Sequence, residues 1–344
     1  MPQAEGNSAL SAQKLLVTGA PGWLCDALLP KLSNCRIRCL VQNTFRPESL
    51  VAWRNRHPEV AEVVSGDMLD AESLKVACRK MDGAVVLHAA GVIHPRNTAE
   101  WYAVNRDGTL ALARAAKKAG AQRFVYVSSN AAQGRAKSPE VLLTEDMPCR
   151  PLSHYGRSKH RAERGLVLLH EPCTFDVVIA RPCMFYGPPV PARHVDIFRR
   201  IRNGRLPLVG GGKYARSLSY IDDLVAGLKL CLVHPDASGE IFNLCDARAY
   251  TTREVCEAMA AALGVPARFI PLPGFSATVA YGMDWFLSGL GLYAMPLHLL
   301  SEANWNVGCS SRKATEVLGF KPTGDIFEGY RRAVEWCKKL KLLD

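Results

Sequence analysis

A tyrosine and a lysine four residues apart, Tyr155 and Lys159, are the residues of this sequence best suited to acid–base chemistry. On a helix, residues at this spacing lie on the same face. A phenol has a pKa of about 10 and is a poor base at neutral pH unless a nearby cation stabilises the phenolate. An ammonium group one helical turn away can do this, so the pair predicts a tyrosine that exchanges a proton with a substrate oxygen. Because the spacing also arises by chance, the prediction depends on the elements that precede it.

A glycine-containing turn follows the first apolar strand, 14–18, and leads into a helix. Gly19 and Gly22 occupy positions where glycine permits a tight turn and lets the backbone approach a pyrophosphate, which the helix N-terminus then faces. Cys25 stands at the third position, which is normally glycine, and is small enough to fit. The turn therefore predicts a dinucleotide site, with an ordinary strand-to-helix turn as the alternative. The cofactor contacts expected here are Gly19, Gly22, Trp23 and Leu24.

The adenosine end of the cofactor is expected where the second and third strands end. The second strand ends at Gln42 with Arg46 shortly after it, so no carboxylate is available for the ribose hydroxyls of NAD. An arginine can meet a 2′-phosphate, which favours NADP slightly over NAD, although a glutamine also binds a free hydroxyl. Asp67 and Met68 follow the third strand. Asp67 is expected either to accept from the adenine amino group or to act as a turn residue.

The order of these motifs, with a strand ending at Ser129 between the glycine turn and Tyr155, resembles the extended short-chain dehydrogenase/reductase superfamily over residues 14–337. Within it the chain is similar to the NAD-dependent epimerase/dehydratase family. The motifs that carry the resemblance are Thr18-Gly19-x-x-Gly22, Gly66-Asp67, His88-Ala89-Ala90-Gly91, Asn105, Ser129, Tyr155, Lys159, Arg181-Pro182, Tyr186-Gly187-Pro188, Arg216 to Asp223 and Leu318 to Pro322.

The resemblance implies an enzyme that moves hydride between NAD(P) and a hydroxyl-bearing carbon. Ser129, Tyr155 and Lys159 would form the catalytic set, with Ser129 orienting the reacting oxygen and Tyr155 as acid or base. The further cofactor contacts that it implies are Ala89, Ala90, Gly91, Val127, Tyr155, Lys159, Pro182 and Met184.

Short apolar strands alternate with helical patterns along the first half of the chain. This alternation predicts βαβ units and hence a Rossmann-type, doubly wound parallel sheet in an α/β protein, with a smaller C-terminal α/β lobe for the substrate. We expect a disordered leader over 1–12, an NAD(P)-binding domain over 13–182 and a mainly substrate-binding lobe over 183–344, segments of which return to the first domain. The predicted strands are 14–18, 36–42, 62–65, 83–89, 123–128, 175–180 and 241–245, and the predicted helices are 21–32, 71–81, 99–119, 155–170, 252–263 and 326–340.

The chain has 344 residues, 48% of them hydrophobic, and a net charge of +11. This composition excludes a disordered protein, and the charge suits nucleic acid, an anionic membrane or a phosphorylated small ligand. Seven basic residues and one acidic residue fall within 193–216. Because this segment follows the predicted nicotinamide region, a phosphorylated small-molecule substrate is favoured over nucleic acid.

Twelve cysteines are scattered through the sequence, without a Cys-x-x-Cys pair of the kind that binds zinc. Residues 1–13 carry no apolar signal core. We therefore expect reduced, mostly buried thiols, no metal site and a cytoplasmic protein. Many members of the resembled family dimerise through four helices, which implies a homodimer.

A nucleotide-sugar is the leading substrate class, for epimerisation or oxidoreduction. Family members with such substrates bind the diphosphate through an arginine at the position of Arg216, and the other substrate contacts predicted here are Ser129, Asn130 and Phe185. Two departures weaken this prediction. Met184 stands where family epimerases carry a nucleotide-binding asparagine, and Asn130-Ala131 replaces the Asp-Glu pair of the dehydratases.

Two alternatives stay open. A 3β-hydroxysteroid-dehydrogenase-like or ketone-reductase activity on an apolar substrate is favoured by Arg181-Pro182 and the apolar segment 275–300. A non-catalytic, dinucleotide-sensing scaffold is the other, and the intact catalytic set argues against it.

Residues 285–301 form a run of 17 uncharged residues. A membrane-spanning helix needs about 20 predominantly apolar residues, so this interrupted run predicts no transmembrane span. We expect a buried or substrate-covering helix here, with peripheral membrane contact or a lipid-like substrate as the alternatives.

Overall fold

A parallel sheet forms the centre of the molecule. The computed structural model describes residues 13–32 and 34–343, and the leader predicted over 1–12 lies outside these residues. The strands of the sheet are β1 (Lys14–Ala20), β2 (Arg36–Gln42), β3 (Val60–Gly66), β4 (Val85–His88), β5 (Arg123–Val127), β6 (Asp176–Pro182) and β11 (Ile241–Leu244). They lie in the order β3-β2-β1-β4-β5-β6-β11, all parallel. The chain starts in the middle and winds outward in both directions, so the predicted doubly wound fold is confirmed.

The helices of the described residues cover both faces of this sheet and also build the part of the molecule beyond it. In chain order they are α1 (Trp23–Leu28), α2 (Pro47–Arg56), α3 (Ala71–Ala77), α4 (Thr98–Tyr102), α5 (Thr109–Lys118), α6 (His154–Val167), α7 (Ala192–Arg202), α8 (Ile221–Val233), α9 (Thr252–Leu263), α10 (Phe275–Gly289), α11 (Met295–Ser301), α12 (Arg312–Leu318) and α13 (Ile326–Lys339). Successive strand residues point to opposite faces, so Leu15 and Val17 pack with α1, α8 and α12, whereas Leu16 packs with α3, α5 and α6. Burial on both faces explains why the strands read as continuous apolar runs.

Two predicted elements match their observed bounds, 36–42 as β2 and 252–263 as α9. The helix predicted over 99–119 is interrupted by a π-helical turn, Ala103–Gly108, around the fully buried Asn105. That turn lets the Asn105 side chain accept from the Val92 N–H at 2.7 Å and donate to the Ser158 hydroxyl at 3.2 Å. Helix α2 was not predicted because Trp53 is its one buried residue, which leaves no apolar periodicity to read.

Residues beyond 183 build a second core and also return to the sheet. Helices α7, α9 and α13 pack around Tyr186, Tyr250 and Tyr330. The short strands of this part are β7 (Met184–Tyr186), β8 (Leu206–Val209), β9 (Ala215–Arg216), β10 (Leu218–Tyr220), β12 (Tyr250–Thr251) and β13 (Phe269–Leu272). Because β11 pairs with β6, and α8 and α12 cover the sheet, the chain passes between the two cores more than once.

The apolar segment 285–301 contributes to two helices, α10 and α11, joined at 290–294. The expectation that it is buried is wrong for its outer side, where Trp285 is 64% and Phe286 61% exposed. Its inner side lines a narrow cavity together with Ser153 and His154. None of the helices in the described part of the chain is long and apolar enough to cross a membrane.

All twelve cysteines lie within the described residues and are free thiols, ten of them buried. Burial raises the pKa of the Cys39 thiol and of the Cys231 thiol to about 12. Cys149 is half-buried, and Cys173 is exposed in the turn before β6. The prediction of mostly buried, unpaired thiols is confirmed.

A buried ion pair joins helix α6 to the sheet. Glu163 on α6 and Arg181 on β6 are each 2% exposed, and their groups meet at 2.8 Å (Nε to Oε1) and 2.6 Å (Nη2 to Oε2). The Ser128 hydroxyl, at the end of β5, also donates to Glu163, at 2.6 Å. Tyr155, Lys159 and Glu163 follow one another at four-residue spacing and share one face of α6. The pair therefore anchors the face that carries the predicted catalytic residues.

Removing the negative charge of this pair should destabilise the fold. We expect Glu163→Gln to lower the free energy of unfolding by about 3–5 kcal/mol, because Arg181 is left buried without its counter-charge. Urea unfolding followed by circular dichroism measures the loss. The matched control is Glu316→Gln, whose partner Arg312 is exposed on α12, and it should cost less than about 1 kcal/mol. Equal, small losses in both variants would contradict the anchoring role.

Candidate active site

Gly19 and Gly22 bring the end of β1 into direct contact with the loop that follows β4. Gly19 has a φ of +97°, and a Cβ at this position would lie 2.7 Å from the carbonyl carbon of Ala89. A Cβ on Gly22 would collide with the carbonyl oxygen of Gly19. Cys25 is 1% exposed, and its Sγ donates to the Thr18 carbonyl at 3.8 Å, so the small side chain fits between α1 and β1. The result is a concave stretch of backbone of the kind that a pyrophosphate requires.

A hydrogen-bonded chain holds the loop after β4 in place. The Thr18 hydroxyl is 2.6 Å from Nδ1 of His88, and Nε2 of His88 is 2.8 Å from the Thr109 hydroxyl. The Ala90 N–H donates to the same Thr18 hydroxyl at 3.2 Å. Burial, with a smaller contribution from Lys159, lowers the pKa of His88 to about 3, so the ring is neutral at physiological pH. These hydrogen bonds were not predicted from the sequence, because the residues that form them are up to 91 positions apart.

The predicted adenosine-binding residues lie at the carboxyl ends of β2 and β3. Gln42 and Arg46 are exposed there, and Met68 is half-buried. Asp67 is half-buried, and its Oδ1 accepts from the Leu69 N–H at 2.8 Å, which is the turn role allowed by the sequence. Since neighbouring parallel strands end at one edge of the sheet, these residues share that edge with Gly19.

Tyr155 lies in the first turn of α6, where the Ser153 hydroxyl caps the helix by accepting from the Gly156 N–H at 3.3 Å. The Ser129 side chain lies close to the Tyr155 phenol. Ser129 follows β5, and its hydroxyl accepts from the Ala131 N–H at 3.2 Å. Burial raises the pKa of Tyr155 to about 12, although the Ser129 side chain lowers it in part. The phenol is therefore protonated at neutral pH in this geometry.

Lys159 lies between β5 and the loop after β4. Its ammonium donates to the Val127 carbonyl at 3.0 Å and lies 4.8 Å from the centre of the Tyr126 ring. A Cβ on Gly91 would lie 3.3 Å from Nζ. Burial lowers the pKa of Lys159 to about 8, and the Glu163 carboxylate opposes that shift. The structure thus brings Ser129, Tyr155 and Lys159 to the carboxyl edge of the sheet.

Two charged groups outside the predicted catalytic set act on the phenol of Tyr155. Arg193, at the start of α7, favours the phenolate of Tyr155, whereas the Glu302 carboxylate, directly after α11, disfavours it. Burial raises the pKa of Glu302. Burial alone would lower the pKa of His298, but the Asp284 carboxylate at 2.9 Å and Glu302 raise it overall. Arg193 belongs to the basic segment 193–216 that stands out in the sequence, whereas no local pattern marks Glu302 or His298.

The residues at this edge fit a nicotinamide dinucleotide. The buried indole N–H of Trp23 has no hydrogen-bond partner among the described residues. The glycines of the turn leave backbone open where any side chain would fill the space. Trp23 also packs against Phe185, with ring centres 5.5 Å apart. The other predicted cofactor contacts lie in or directly beside elements that end here, namely Leu24, Ala89, Ala90, Gly91, Val127, Pro182 and Met184.

Comparison with known proteins identifies the family. The family model described as NAD dependent epimerase/dehydratase family matches residues 15–245. The chain is 36% identical to the protein y4nL of Sinorhizobium fredii, with 96% of each chain aligned. It is 32% identical to a ceramide reductase of Caulobacter vibrioides over 94% of this chain and 93% of that protein. The chain belongs to the NAD-dependent epimerase/dehydratase family.

The members of this family that resemble the chain include enzymes named for nucleotide-sugars. A UDP-glucose 4-epimerase of Vibrio cholerae is 28% identical over 73% of this chain and 76% of that protein. The structure of a Thermotoga maritima UDP-glucose 4-epimerase superposes with a TM-score of 0.76 at 22% identity, over 96% of this chain and all of that one, which shows a shared fold. The chain is an NAD-dependent enzyme of the extended short-chain dehydrogenase/reductase type, so the scaffold alternative loses its support.

The structure separates the predicted substrate residues of this family member. Asn130 accepts from the Ser129 hydroxyl at 3.4 Å, and Phe185 packs on Trp23. Arg216 instead donates from Nε to the Thr252 hydroxyl at 2.9 Å and from Nη2 to the Glu302 carbonyl at 3.0 Å. The guanidinium therefore fixes the end of α11 to the start of α9.

Of the other basic residues of the segment 193–216, Arg199 pairs with Asp196 at 3.0 Å on the exposed side of α7.

Among the described residues, Cys149, His160 and Glu163 are close enough together for a metal ion. The Glu163 carboxylate is already neutralised by Arg181.

Filling the glycine turn should abolish cofactor binding. We expect Gly19→Ala to weaken NAD(P) binding at least about tenfold, because the new Cβ would push the loop that carries Ala89 out of place. Titration of cofactor fluorescence measures the affinity. Gly83→Ala is the matched control, since Gly83 also has a positive φ but its nearest neighbour to a Cβ is 3.8 Å away. Similar affinities in the two variants would contradict the role of the turn.

The charge of Lys159 predicts a pH dependence. With a pKa of about 8, the ammonium is present below that pH and lost above it. We expect kcat/KM for the cofactor to fall as the pH rises through about 8, since this parameter reports on the free enzyme. Initial rates from about pH 6 to about pH 10 test this expectation. In Lys159→Arg any remaining activity should show no fall near pH 8, because guanidinium stays charged; a flat profile in the unmodified enzyme would contradict the assignment.

Proposed function

We propose that this enzyme interconverts a ketone and a secondary alcohol on an apolar, lipid-like substrate. Bound NAD(P) supplies or accepts the hydride. In the reducing direction, Oη of Tyr155 donates its proton to the carbonyl oxygen as that oxygen gains negative charge. The Ser129 hydroxyl hydrogen-bonds to the same oxygen and orients it, and Lys159 donates to the cofactor and provides positive charge behind the phenol.

The helices over the site are the observation that carries this proposal. The inner sides of α10 and α11 line the cavity beside Ser153 and His154, which adjoin Tyr155. Asp284 is the one Asp, Glu, Lys or Arg residue in the segment 273–301. It is buried and bonds to His298. Apart from His298, whose ring is held by Asp284, α10 and α11 therefore offer no cation that could bind a diphosphate.

The hydrogen bonds of Arg216 also favour an apolar substrate over a nucleotide-sugar. In a nucleotide-sugar enzyme we expected this guanidinium to bind the substrate diphosphate. In this structure the guanidinium donates to the Thr252 hydroxyl and to the Glu302 carbonyl. Turning it toward a diphosphate would break both hydrogen bonds. A structural role thus accounts for Arg216 without a phosphorylated ligand.

The protonated phenol of Tyr155 is consistent with the proton-donor role proposed for the reducing direction. A phenol with a pKa of about 12 holds its proton at neutral pH and can give it to a carbonyl oxygen.

The similarity to the Caulobacter ceramide reductase, which extends over nearly the whole chain, agrees with a lipid-like substrate. A ketoreductase of Stigmatella aurantiaca that is named for a farnesyl-bearing substrate is also similar, at 29% identity over 78% of each chain.

A nucleotide-sugar, our first expectation from the sequence, is the second candidate. It is favoured by the similarity to the Vibrio cholerae UDP-glucose 4-epimerase and by Arg193, a guanidinium beside Tyr155 that could meet a phosphate. The presence of Met184 where family epimerases carry a nucleotide-binding asparagine argues against a nucleotide-sugar.

For the cofactor, Arg46 supports a preference for NADP over NAD. Competition between the two cofactors for binding tests this preference.

Turnover of two substrate classes decides between the candidates. We expect NADPH to be consumed with long-chain ketones presented in detergent micelles, and UDP-glucose to be neither epimerised nor protective against heating. Tyr155→Phe should lower turnover at least about 100-fold, because the phenol proton is lost, while cofactor affinity stays within about threefold.

The matched control is Tyr214→Phe, which removes a phenol outside the site and should retain full turnover. Epimerisation of UDP-glucose without ketone reduction would overturn the proposal in favour of the second candidate. Full ketone turnover in Tyr155→Phe would remove Tyr155 from the mechanism while leaving the substrate class standing.

A further inference from the structure

We propose that the outer face of α10 and α11 docks on the surface of an anionic lipid bilayer. Along α10 the side chains of Phe275, Val279, Met283, Phe286 and Leu290 recur at spacings of three and four, so they form one stripe on the helix. The stripe points away from the protein, because the buried residues of the same helix lie on its opposite side.

The exposed apolar face is large and continuous. Its nine side chains are each 44–69% exposed: Phe275, Val279, Met283, Trp285, Phe286, Leu290, Leu292, Met295 and Leu299. Ile270 on β13, 47% exposed, extends the face beyond the N-terminus of α10. Scattered exposed apolar residues need no explanation, but a contiguous set of this size marks an interaction surface.

Basic residues stand at both ends of this face, which itself carries no exposed charge. Near the N-terminus of α10, the Tyr214 hydroxyl lies 3.1 Å from the position of a Cβ on Gly274, and the exposed Lys213 adjoins Tyr214. Arg268 is exposed directly before β13. At the other end, the Thr98 N–H bonds to the Gly291 carbonyl, and the nearby Arg96 side chain is 90% exposed but pairs with Glu100 at 3.3 Å, so Lys213 and Arg268 carry most of the positive charge beside this face.

This distribution of charge selects a bilayer as the occupant. Aromatic and aliphatic side chains can enter the boundary between head groups and acyl chains while the basic rim meets anionic head groups. A second copy of the chain placed on this face would bring two basic rims together, and they would repel each other. Helix α10 is about 22 Å long and carries one apolar face, so it would lie in the interface rather than cross it.

Docking in this orientation would also bring the membrane next to the catalytic edge. The inner residues of the same two helices, including Tyr281 and Ser301, line the cavity beside His154. The docking itself needs no substrate, so it can be tested separately from the proposed reaction.

Sedimentation of the full chain with vesicles, without cofactor or substrate, tests the proposal. Wild type should bind vesicles of phosphatidylcholine with about one third phosphatidylglycerol, and bind phosphatidylcholine alone more weakly. The triple variant Phe275→Ser, Phe286→Ser and Leu290→Ser should lower the partition coefficient at least about tenfold, because it removes the inserted side chains. Lys213→Gln with Arg268→Gln should lower binding to the anionic vesicles by about fivefold for each charge, with little effect on the neutral ones.

The matched control changes exposed apolar residues elsewhere, Val51→Ser, Leu168→Ser and Phe327→Ser, and should bind like wild type. Equal binding by wild type and the α10 triple variant would overturn the proposal. So would absent vesicle binding together with a triple variant that changes from dimer to monomer in sedimentation equilibrium, which would assign the face to a second copy. Vesicle binding without ketone turnover would leave the docking intact and reject only the proposed reaction.

Discussion

The ion pair between Glu163 and Arg181 is the contact on which the geometry of the site depends. It ties α6 to β6, and through the Ser128 hydroxyl it also ties the helix to the end of β5. Ser129 comes directly after that strand, whereas Tyr155 is two helical turns before Glu163 on the same face. One buried pair therefore fixes the relative position of Ser129 and Tyr155, two residues of the proposed catalytic set that come from different elements. Such a pair is expensive to desolvate, and its value lies in positioning rather than in stability.

Burial sets the chemistry of the site as much as the identity of its residues does. Both Tyr155 and Lys159 are shifted toward their neutral forms, because desolvation disfavours phenolate and ammonium alike. Near neutral pH the phenol therefore carries its proton and the ammonium keeps its charge. The charges of Glu302 and Arg193 then shift the pKa of Tyr155 in opposite directions.

The part of this architecture that could be predicted from sequence is the part governed by local pattern. The glycine turn, the alternation of strands and helices, and the spacing of Tyr155 and Lys159 are all contained in short windows. The orientation of α10 is not, because its apolar residues are equally consistent with a buried and an exposed helix. The structural role of Arg216 could not be predicted from its neighbours in sequence either, because its partners Thr252 and Glu302 are 36 and 86 residues away.

The distribution of thiols has a consequence for covalent chemistry on this protein. Ten of the twelve cysteines are buried, and Cys149 is partly shielded and within reach of Arg181, so alkylating reagents would meet Cys173 first. Cys173 precedes the amino end of β6, whereas the glycine turn and Tyr155 lie at the opposite, carboxyl edge of the sheet. Cys173 is thus the preferred attachment point for a spectroscopic label, on the side of the molecule opposite the proposed cofactor and substrate sites.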